Sequence, residues 1–276
     1  MLLESDGMIK LNGKPLEVGR FPDGTLLIKE DFLYNRAMIS WFFENNEEFI
    51  ALNYIVQHLR ANDVSEIHLY MPYIPNARQD RVRSKEDVFT LKYFANMLNA
   101  LKFNSVKVLD PHSAVSEALI ENIVIESPSK YINMVIDSIT DDIADSNKGN
   151  DLSIFYPDEG SMKRYSGMIS SPYAFGIKMR DWNTGEIMAF EAAGYVKGVE
   201  NNDVLIVDDI CSRGGTFYHS AKKLKELGAN NIYLYVTHCE NTILDGELLT
   251  SGLIERVYTT NSIFTKEHEK INVIRL

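Results

Sequence analysis

Short apolar runs alternate along the chain with segments whose apolar residues recur at helical spacing. Residues 67–71 (IHLYM) and 106–109 (VKVL) are short, mainly apolar runs that are typical of strands. In 49–59 and 88–101 the apolar residues recur every three or four positions, which predicts amphipathic helices. Strands separated by helices require crossover connections, so this part of the chain predicts a mainly parallel sheet.

The second half of the chain carries the clearest unit of this kind. A strand at 204–207, a loop at 211–215, a helix at 216–227 and a strand at 232–236 follow one another directly. The same order of strand, polar loop, helix and strand occurs between residues 71 and 112. We therefore predict an α/β protein of two similar domains, each a mainly parallel sheet flanked by helices. Likeness at this level also arises by chance in α/β chains, so it does not establish a duplication.

An acidic and polar stretch lies between the two halves. Residues 137–151 read DSITDDIADSNKGND, a composition that indicates a surface helix followed by a linker. We place a domain boundary in this region, which divides the chain into an N-terminal domain, 1–135, and a C-terminal domain, 136–276.

Composition narrows the possible functions. The chain has 276 residues, of which 45% are hydrophobic and 24% charged, so it can bury a core of ordinary size. Its formal charge of -11 argues against nucleic acid and anionic membranes as partners, although a local basic loop can still bind phosphate. Two cysteines cannot build a disulfide framework or a four-cysteine zinc site. Without a signal-peptide pattern or an apolar run of about 18 residues, we expect a cytoplasmic protein.

The strongest local motif is VLIVDDICSRGGT at 204–216. A buried strand carries Asp208 and Asp209 to the carboxyl end of the sheet, where a loop of small residues turns into a helix. Such a loop directs several backbone N–H groups and the positive end of the helix at one point, which suits a phosphate monoester. Gly214 and Gly215 let the backbone approach closely, and the Thr216 hydroxyl adds a donor.

Two acids beside a phosphate would repel it. Asp208 and Asp209 therefore fit neutral hydroxyl groups better, such as the diol of a ribose. The alternative interpretation is an ordinary strand–turn–helix whose acids occupy the turn and whose glycines serve only the backbone geometry.

The 204–216 motif resembles the loop that binds phosphoribosyl diphosphate (PRPP) in type I phosphoribosyltransferase folds. Further stretches narrow the resemblance to the ribose-phosphate diphosphokinases, or PRPP synthetases. These stretches are FPDG at 21–24, PYIPNARQDR at 72–81, DPH at 110–112, PDEGSMKR at 157–164 and KMR at 178–180. The matches follow the family order from about residue 15 to about residue 265, which is nearly the whole chain.

The resemblance implies phosphoribosyltransferase-like domains and a reaction. In that reaction the diphosphoryl group of ATP is transferred to the 1-hydroxyl of ribose 5-phosphate, which yields PRPP and AMP and uses Mg²⁺. The resemblance also implies a homo-oligomer, a dimer or larger, whose subunits share sites.

The resemblance further assigns roles to residues at the matching positions. The implied ATP-binding residues are Phe21, Asp23, Arg78, Gln79, Asp80 and His112, of which the first two would reach the nucleotide of a neighbouring subunit. The implied ribose-5-phosphate-binding residues are Asp208, Asp209, Ser212, Arg213, Gly214, Gly215 and Thr216. His112 and Asp158 would place Mg²⁺, and Lys178 and Arg180 would close over the diphosphate as catalytic cations.

The chain departs from the family pattern in the phosphate loop. Ser212 and Arg213 stand where the family usually has Asp and Thr. The segment 176–185, GIKMRDWNTG, is polar with a glycine at each end, as a closing flap would be. Without the resemblance, a plain surface hairpin with solvated cations is the better interpretation of this segment.

Three functions remain open on this reasoning. The first is an active PRPP synthetase. The second is a phosphoribosyltransferase that consumes PRPP, which the loop at Arg78 and the two-domain length argue against. The third is a catalytically silent paralogue that binds nucleotide and regulates an active partner. The altered loop favours the third function, whereas the presence of Lys178, Arg180 and His112 argues against it.

Overall fold

The computed structural model describes residues 9–30, 35–145, 149–180 and 187–276, with side chains for all of these except 178–180 and 187–190. The chain divides into two compact units, unit 1 (Met1–Ser127) and unit 2 (Pro128–Leu276). Within the described ranges, no helix combines the length and apolar character that crossing a membrane requires.

Unit 1 is built on a sheet in which four neighbouring strands are parallel. Its strands are β1 (Ile9–Leu11), β2 (Lys14–Pro15), β3 (Val18–Arg20), β4 (Leu26–Ile28), β5 (Arg36–Trp41), β6 (Glu66–Tyr70), β7 (Ser105–Leu109) and β8 (Ile123–Glu126). The sheet order is β2-β1-β5-β6-β7-β8, where β5 to β8 are parallel and β1 and β2 are antiparallel additions at one edge. Strands β3 and β4 form a separate antiparallel hairpin.

Helices connect the parallel strands of unit 1, as the sequence pattern predicts. They are α1 (Glu48–Ala61), α2 (Thr90–Asn99) and α3 (Val115–Leu119). Helix α1 buries Leu52, Ile55 and Leu59, whose spacing places them on one helix face against the sheet. Each such buried side chain contributes about 1.5–3 kcal/mol to folding.

A buried carboxylate ties the start of α1 to strand β5. Glu48 is 5% exposed, and its Oε2 accepts hydrogen bonds from Trp41 Nε1 at 2.8 Å and from the backbone N–H of Glu44 at 3.0 Å. Its Oε1 accepts from the backbone N–H of Asn45 at 3.1 Å. These bonds satisfy the indole of Trp41, which has no exposed surface and which would otherwise bury an unpaired donor.

Unit 2 contains a larger sheet with one antiparallel edge. Its strands are β9 (Leu152–Tyr156), β10 (Tyr173–Arg180), β11 (Ile187–Gly194), β12 (Asp203–Cys211), β13 (Ile232–Cys239), β14 (Arg256–Thr260) and β15 (Ile271–Ile274). Its helices are α4 (Ser129–Asp145), α5 (Glu159–Tyr165) and α6 (Gly215–Glu226), with short 3-10 turns at Val196–Gly198 and Asn241–Asp245. The order is β11-β10-β9-β12-β13-β14-β15, and among these described strands the β10–β11 pair is antiparallel and the others are parallel.

The central strands of unit 2 are buried along almost their whole length. All eight residues of β13 are buried, and so are eight of the nine in β12. Continuous burial is typical of parallel strands covered on both faces, which explains the unbroken apolar run before the acids of β12.

The stretch that the sequence suggested as a boundary is largely helix. The predicted division between residues 135 and 136 falls inside α4, whose buried side includes Tyr131, Val135 and Ile139. The acids of 137–145 belong to the exposed side of this amphipathic helix, which agrees with the predicted surface helix.

Candidate active site

The polar side chains of interest in unit 2 follow the carboxyl ends of neighbouring strands. Strands β9, β12 and β13 are parallel and adjacent, so their carboxyl ends lie at one edge of the sheet. Asp158 follows β9, Asp208 and Asp209 lie near the end of β12, and the loop before α6 follows β12 directly. This edge is where open α/β sheets bind ligands.

The loop between β12 and α6 needs glycine for its conformation and its packing. Gly214 has a φ of 81°, in the left-handed region, and a Cβ at this position would lie 2.9 Å from the side chain of Leu248. A Cβ on Gly215 would meet no described atom within 4 Å, so the first residue of α6 faces open space. The first turn of α6 carries no acidic residue, and its N–H groups suit an anion.

The acid pair is held by helix α5. Ser161 Oγ donates a hydrogen bond to Asp208 Oδ1 at 2.7 Å, and Arg164 Nη1 donates to Asp209 Oδ2 at 2.9 Å. Burial raises the pKa of Asp208 well above its usual value, and the charges of Asp209 and Asp158 raise it further. The hydrogen bond from Ser161 acts in the opposite direction.

Asp158, which the resemblance assigns to Mg²⁺, is the N-cap of α5. Its Oδ1 accepts hydrogen bonds from the Ser161 backbone N–H at 3.1 Å and from Ser161 Oγ at 3.2 Å. The same hydroxyl therefore lies between the carboxylates of Asp158 and Asp208. In the ranges with described side chains, no group of three or more His, Cys, Asp or Glu is arranged to hold a metal ion.

This arrangement still fits Mg²⁺. The ion usually binds one or two carboxylates and completes its octahedral shell with water and substrate phosphates. Asp158 and Asp208 supply such oxygen ligands close together, and their mutual repulsion, which raises the pKa of Asp208, is what a divalent cation would offset.

In unit 1, two loops that follow neighbouring parallel strands meet. Asp80, in the loop after β6, is 5% exposed and accepts a bidentate pair from Arg81, from Nε at 2.7 Å and from Nη2 at 3.1 Å. The Arg81 hydrogen bonds lower the pKa of Asp80, assisted by a hydrogen bond from the Ser113 side chain and by the charge of His112. The structure therefore brings the predicted ATP residues Asp80 and His112 together.

The loop that carries Arg78, Arg81 and Arg83 is held by hydrogen bonds of Gln79 and Asp87. The Oε1 of Gln79 accepts a hydrogen bond from Thr90 Oγ1 at 3.0 Å at the start of α2, while Arg78 is exposed. The Asp87 carboxylate accepts the backbone N–H groups of Arg83 at 2.7 Å and Ser84 at 2.8 Å. The loop that carries these cations is thus shaped by its own hydrogen bonds.

Phe21 and Asp23 lie at the tip of the β3–β4 hairpin. The turn closes with a hydrogen bond from the Phe21 N–H to the Thr25 carbonyl at 2.9 Å. Asp23 Oδ1 accepts from the Thr25 N–H at 3.0 Å and from Thr25 Oγ1 at 2.7 Å, which lowers the pKa of Asp23. The Phe21 ring is 50% exposed, and a contact of this ring with ATP stays a prediction.

Lys178 and Arg180 have a described backbone only. Both belong to β10, which pairs with β11 and shows an irregularity between Met179 and Arg180. Their side chains, and residues 181–186 of the predicted flap, lie outside the described part of the chain.

Two residues that contact the acid pair received no role from the sequence. Ser161 and Arg164 are three residues apart on α5 and lie within the PDEGSMKR stretch that was matched only as a motif. A separation of three places side chains on one helix face, and this was the available signal that both could reach the same feature.

Comparison with known proteins supports the family resemblance that the sequence motifs indicate. Residues 9–101 match the family model for the N-terminal domain of ribose phosphate pyrophosphokinase. Ribose-phosphate pyrophosphokinase 1 of Listeria monocytogenes serovar 1/2a is 28% identical over 234 residues, which cover 82% of this chain and 69% of that protein. The ribose-phosphate pyrophosphokinase of Caldanaerobacter subterraneus subsp. tengcongensis is 27% identical, over 94% of this chain and 81% of its own.

The fold has a solved counterpart. The crystal structure of phosphoribosylpyrophosphate synthetase from Mycobacterium smegmatis superposes with a TM-score of 0.75 at 18% identity, over 94% of this chain and 85% of that one. The molecule is therefore an α/β protein with two phosphoribosyltransferase-like domains, as predicted. Taken together, the family model over residues 9–101 and the sequence relatives support the ribose-phosphate pyrophosphokinase family for this chain. This confirms the family and the enzyme class that the motifs indicated.

Proposed function

We propose that this protein transfers the diphosphoryl group of ATP to the 1-hydroxyl of ribose 5-phosphate, which yields PRPP and AMP. The observation that carries the proposal is the end of β12, where an acid pair held by α5 stands directly before a glycine loop and a helix N-terminus. Hydroxyl acceptors beside an anion cradle match the two ends of a sugar phosphate.

Each part of the sugar phosphate has a candidate partner. The 5-phosphate binds the backbone N–H groups of 212–216, where Ser212 and Thr216 add hydroxyls and Arg213 adds an exposed cation. The ribose diol binds at the end of β12, where Asp208 and Asp209 lie. This orientation leaves the 1-hydroxyl as the reacting group, because the other hydroxyls and the phosphate are engaged.

ATP binds unit 1 through the loops that follow β6 and β7. Arg78, Gln79, Asp80 and His112 line these loops, and cations there are suited to phosphate oxygens. Phe21 and Asp23 belong to ATP binding by the resemblance alone, as does the sharing of sites in a homo-oligomer.

In the chemical step the 1-hydroxyl oxygen attacks the β-phosphorus of ATP, and the bond to the bridging oxygen of AMP breaks. The hydroxyl proton passes to solvent water, and AMP leaves with the bridging oxygen as the displaced group. Such transfers depend mainly on positioning and charge neutralisation. The resemblance assigns Asp158, and separately His112, to Mg²⁺, which when bound would neutralise phosphate charge, and Lys178 and Arg180 would supply further positive charge.

A direct assay tests the proposal. Purified protein is incubated with ATP, ribose 5-phosphate and Mg²⁺, and AMP and PRPP are quantified together. Equal amounts of the two products are expected. AMP without PRPP would indicate hydrolysis, and the absence of both would favour the silent regulatory paralogue, which the residues Ser212 and Arg213 keep as the second candidate.

A further inference from the structure

The two acids at the end of β12 are held in different ways. Asp209 uses both carboxylate oxygens within the protein: Oδ1 accepts the Ile210 N–H at 2.8 Å, and Oδ2 accepts Arg164 Nη1 at 2.9 Å. The residue is 6% exposed, and the side chain of Arg164 is 26% exposed. Asp209 is therefore a buried carboxylate neutralised by a guanidinium.

Asp208 is held from one side. The hydrogen bonds from Ser161 Oγ at 2.7 Å and from the Asp209 N–H at 2.9 Å both end on its Oδ1. A carboxylate has about four acceptor positions, so among the described contacts these two bonds fix the side chain through Oδ1 and leave the acceptor positions of Oδ2 for a ligand. Asp208 is also partly exposed, unlike Asp209.

The cost of accepting a sugar hydroxyl differs between the two acids for this reason. Asp209 would have to exchange part of a buried ion pair for a neutral donor, and loosening such a pair leaves a buried charge uncompensated. Asp208 could accept a hydroxyl without giving up either of its present bonds.

We propose that Ser161 and Arg164 are positioning residues that give Asp208 and Asp209 different roles. Arg164 keeps Asp209 as a structural carboxylate, and Ser161 orients Asp208, which alone accepts the ribose hydroxyls. This division rests on the proposed function, since it requires ribose 5-phosphate as the ligand. It replaces the symmetric use of both acids that the resemblance implies.

Titration calorimetry with ribose 5-phosphate, on the full chain and without ATP, compares Asp208→Asn with Asp209→Asn. Asp208→Asn is expected to weaken binding about tenfold or more, because a charge-assisted hydrogen bond becomes a neutral one. Asp209→Asn is expected to weaken binding less than about threefold while lowering the melting temperature. Equal losses, or a larger loss for Asp209→Asn, overturn the division.

Helix α5 is tested with matched variants. Ser161→Ala should weaken binding of ribose 5-phosphate about threefold to tenfold, and Ser161→Thr, which keeps the hydroxyl, should restore it. Arg164→Lys should keep near wild-type affinity, whereas Lys163→Met, which changes an exposed lysine on the same helix, serves as the neutral control. A Ser161→Ala variant that melts at a lower temperature but binds as wild type would show a purely structural role and overturn the proposal.

A double variant covers the case in which Asp209→Asn does not fold alone. Arg164→Met combined with Asp209→Asn removes both partners, so it should fold better than Asp209→Asn and bind ribose 5-phosphate within about threefold of wild type. A folded double variant without affinity overturns the division. Wild-type protein that binds no ribose 5-phosphate refutes the proposed function and the division with it, whereas binding with equal losses refutes the division alone.

Discussion

The loop before α6, which contains Gly214 and Gly215, packs against another glycine, Gly246. Gly246 follows the 3-10 turn at Asn241–Asp245, and its α-carbon packs on the backbone of Arg213. A Cβ at 246 would lie 2.9 Å from the carbonyl carbon of Arg213 and closer still to its oxygen, where ordinary contact begins at 3.4 Å. Gly246→Ala must therefore move one of the two backbones.

The magnitude follows from what has to move. Overpacking costs about 1–3 kcal/mol, and the upper end applies because the obstacle is a peptide carbonyl and not the end of a flexible side chain. For a domain of this size, about 3 kcal/mol corresponds to a melting temperature about 6–12 °C lower. If Arg213 shifts with its loop, affinity for ribose 5-phosphate should fall about tenfold or more, since misplacement of about 1 Å is costly at a phosphate site.

The assay is thermal unfolding together with calorimetry of ribose 5-phosphate, and the control is Gly167→Ala. A Cβ on Gly167 would meet no atom of the described residues within 4 Å, so this variant should unfold and bind as wild type. If Gly246→Ala were indistinguishable from Gly167→Ala, the packing argument would be refuted. A lower melting temperature with unchanged affinity would show that the 211–215 loop does not bind the phosphate.

Three further predictions concern the charged residues. Arg81 lowers the pKa of Asp80, so the stabilisation from this ion pair is present above the unfolded pKa and is lost as the pH falls through the folded pKa. Asp80→Asn should lower the unfolding free energy at pH 7 by about 1 kcal/mol, a small value because Arg81 is solvent-exposed. An equal difference at pH 2, measured by denaturant unfolding, would contradict this prediction. The pKa of Asp208 is raised, so ionisation of this carboxyl lowers the stability of the protein as the pH rises. Asp208→Asn should therefore melt at a higher temperature than wild type at pH 7, and a lower melting temperature would refute this pH dependence. Lys178→Ala should lower turnover and leave ATP affinity nearly intact, with Lys222→Ala as control; lost ATP binding at unchanged turnover would exclude the flap role.

Much of the fold could be predicted because each unit follows strong local patterns. The strand predicted at 106–109 and the helix predicted at 216–227 correspond to β7 and α6 with ends that differ by one residue. The positions of Asp208 and Asp209 were predictable too, because they end an apolar run, and the carboxyl edge of a parallel sheet is where such acids gather.

The contacts that organise the site were not predictable in this way. Ser161 and Arg164 reach the acid pair across 47 and 45 residues of sequence. That contact exists because β12 adds beside β9 on the side opposite β10, and the order of strands in a sheet does not follow from the order along the chain. The domain boundary was placed inside this region because composition alone does not show that the helix begins at Ser129 and packs Tyr131, Val135 and Ile139 into unit 2.

The hydrogen bond from the Trp41 indole to Glu48 helps to hold a buried fluorescent side chain inside unit 1. The chain contains two tryptophans, Trp41 in unit 1 and Trp182 in unit 2. Because Trp41 is fully enclosed, its emission will shift to longer wavelength when unit 1 opens to water. A Trp182→Phe variant thus keeps one tryptophan, whose emission follows the denaturation of unit 1 alone. Comparing its midpoint with that of the whole chain shows whether the two units unfold cooperatively.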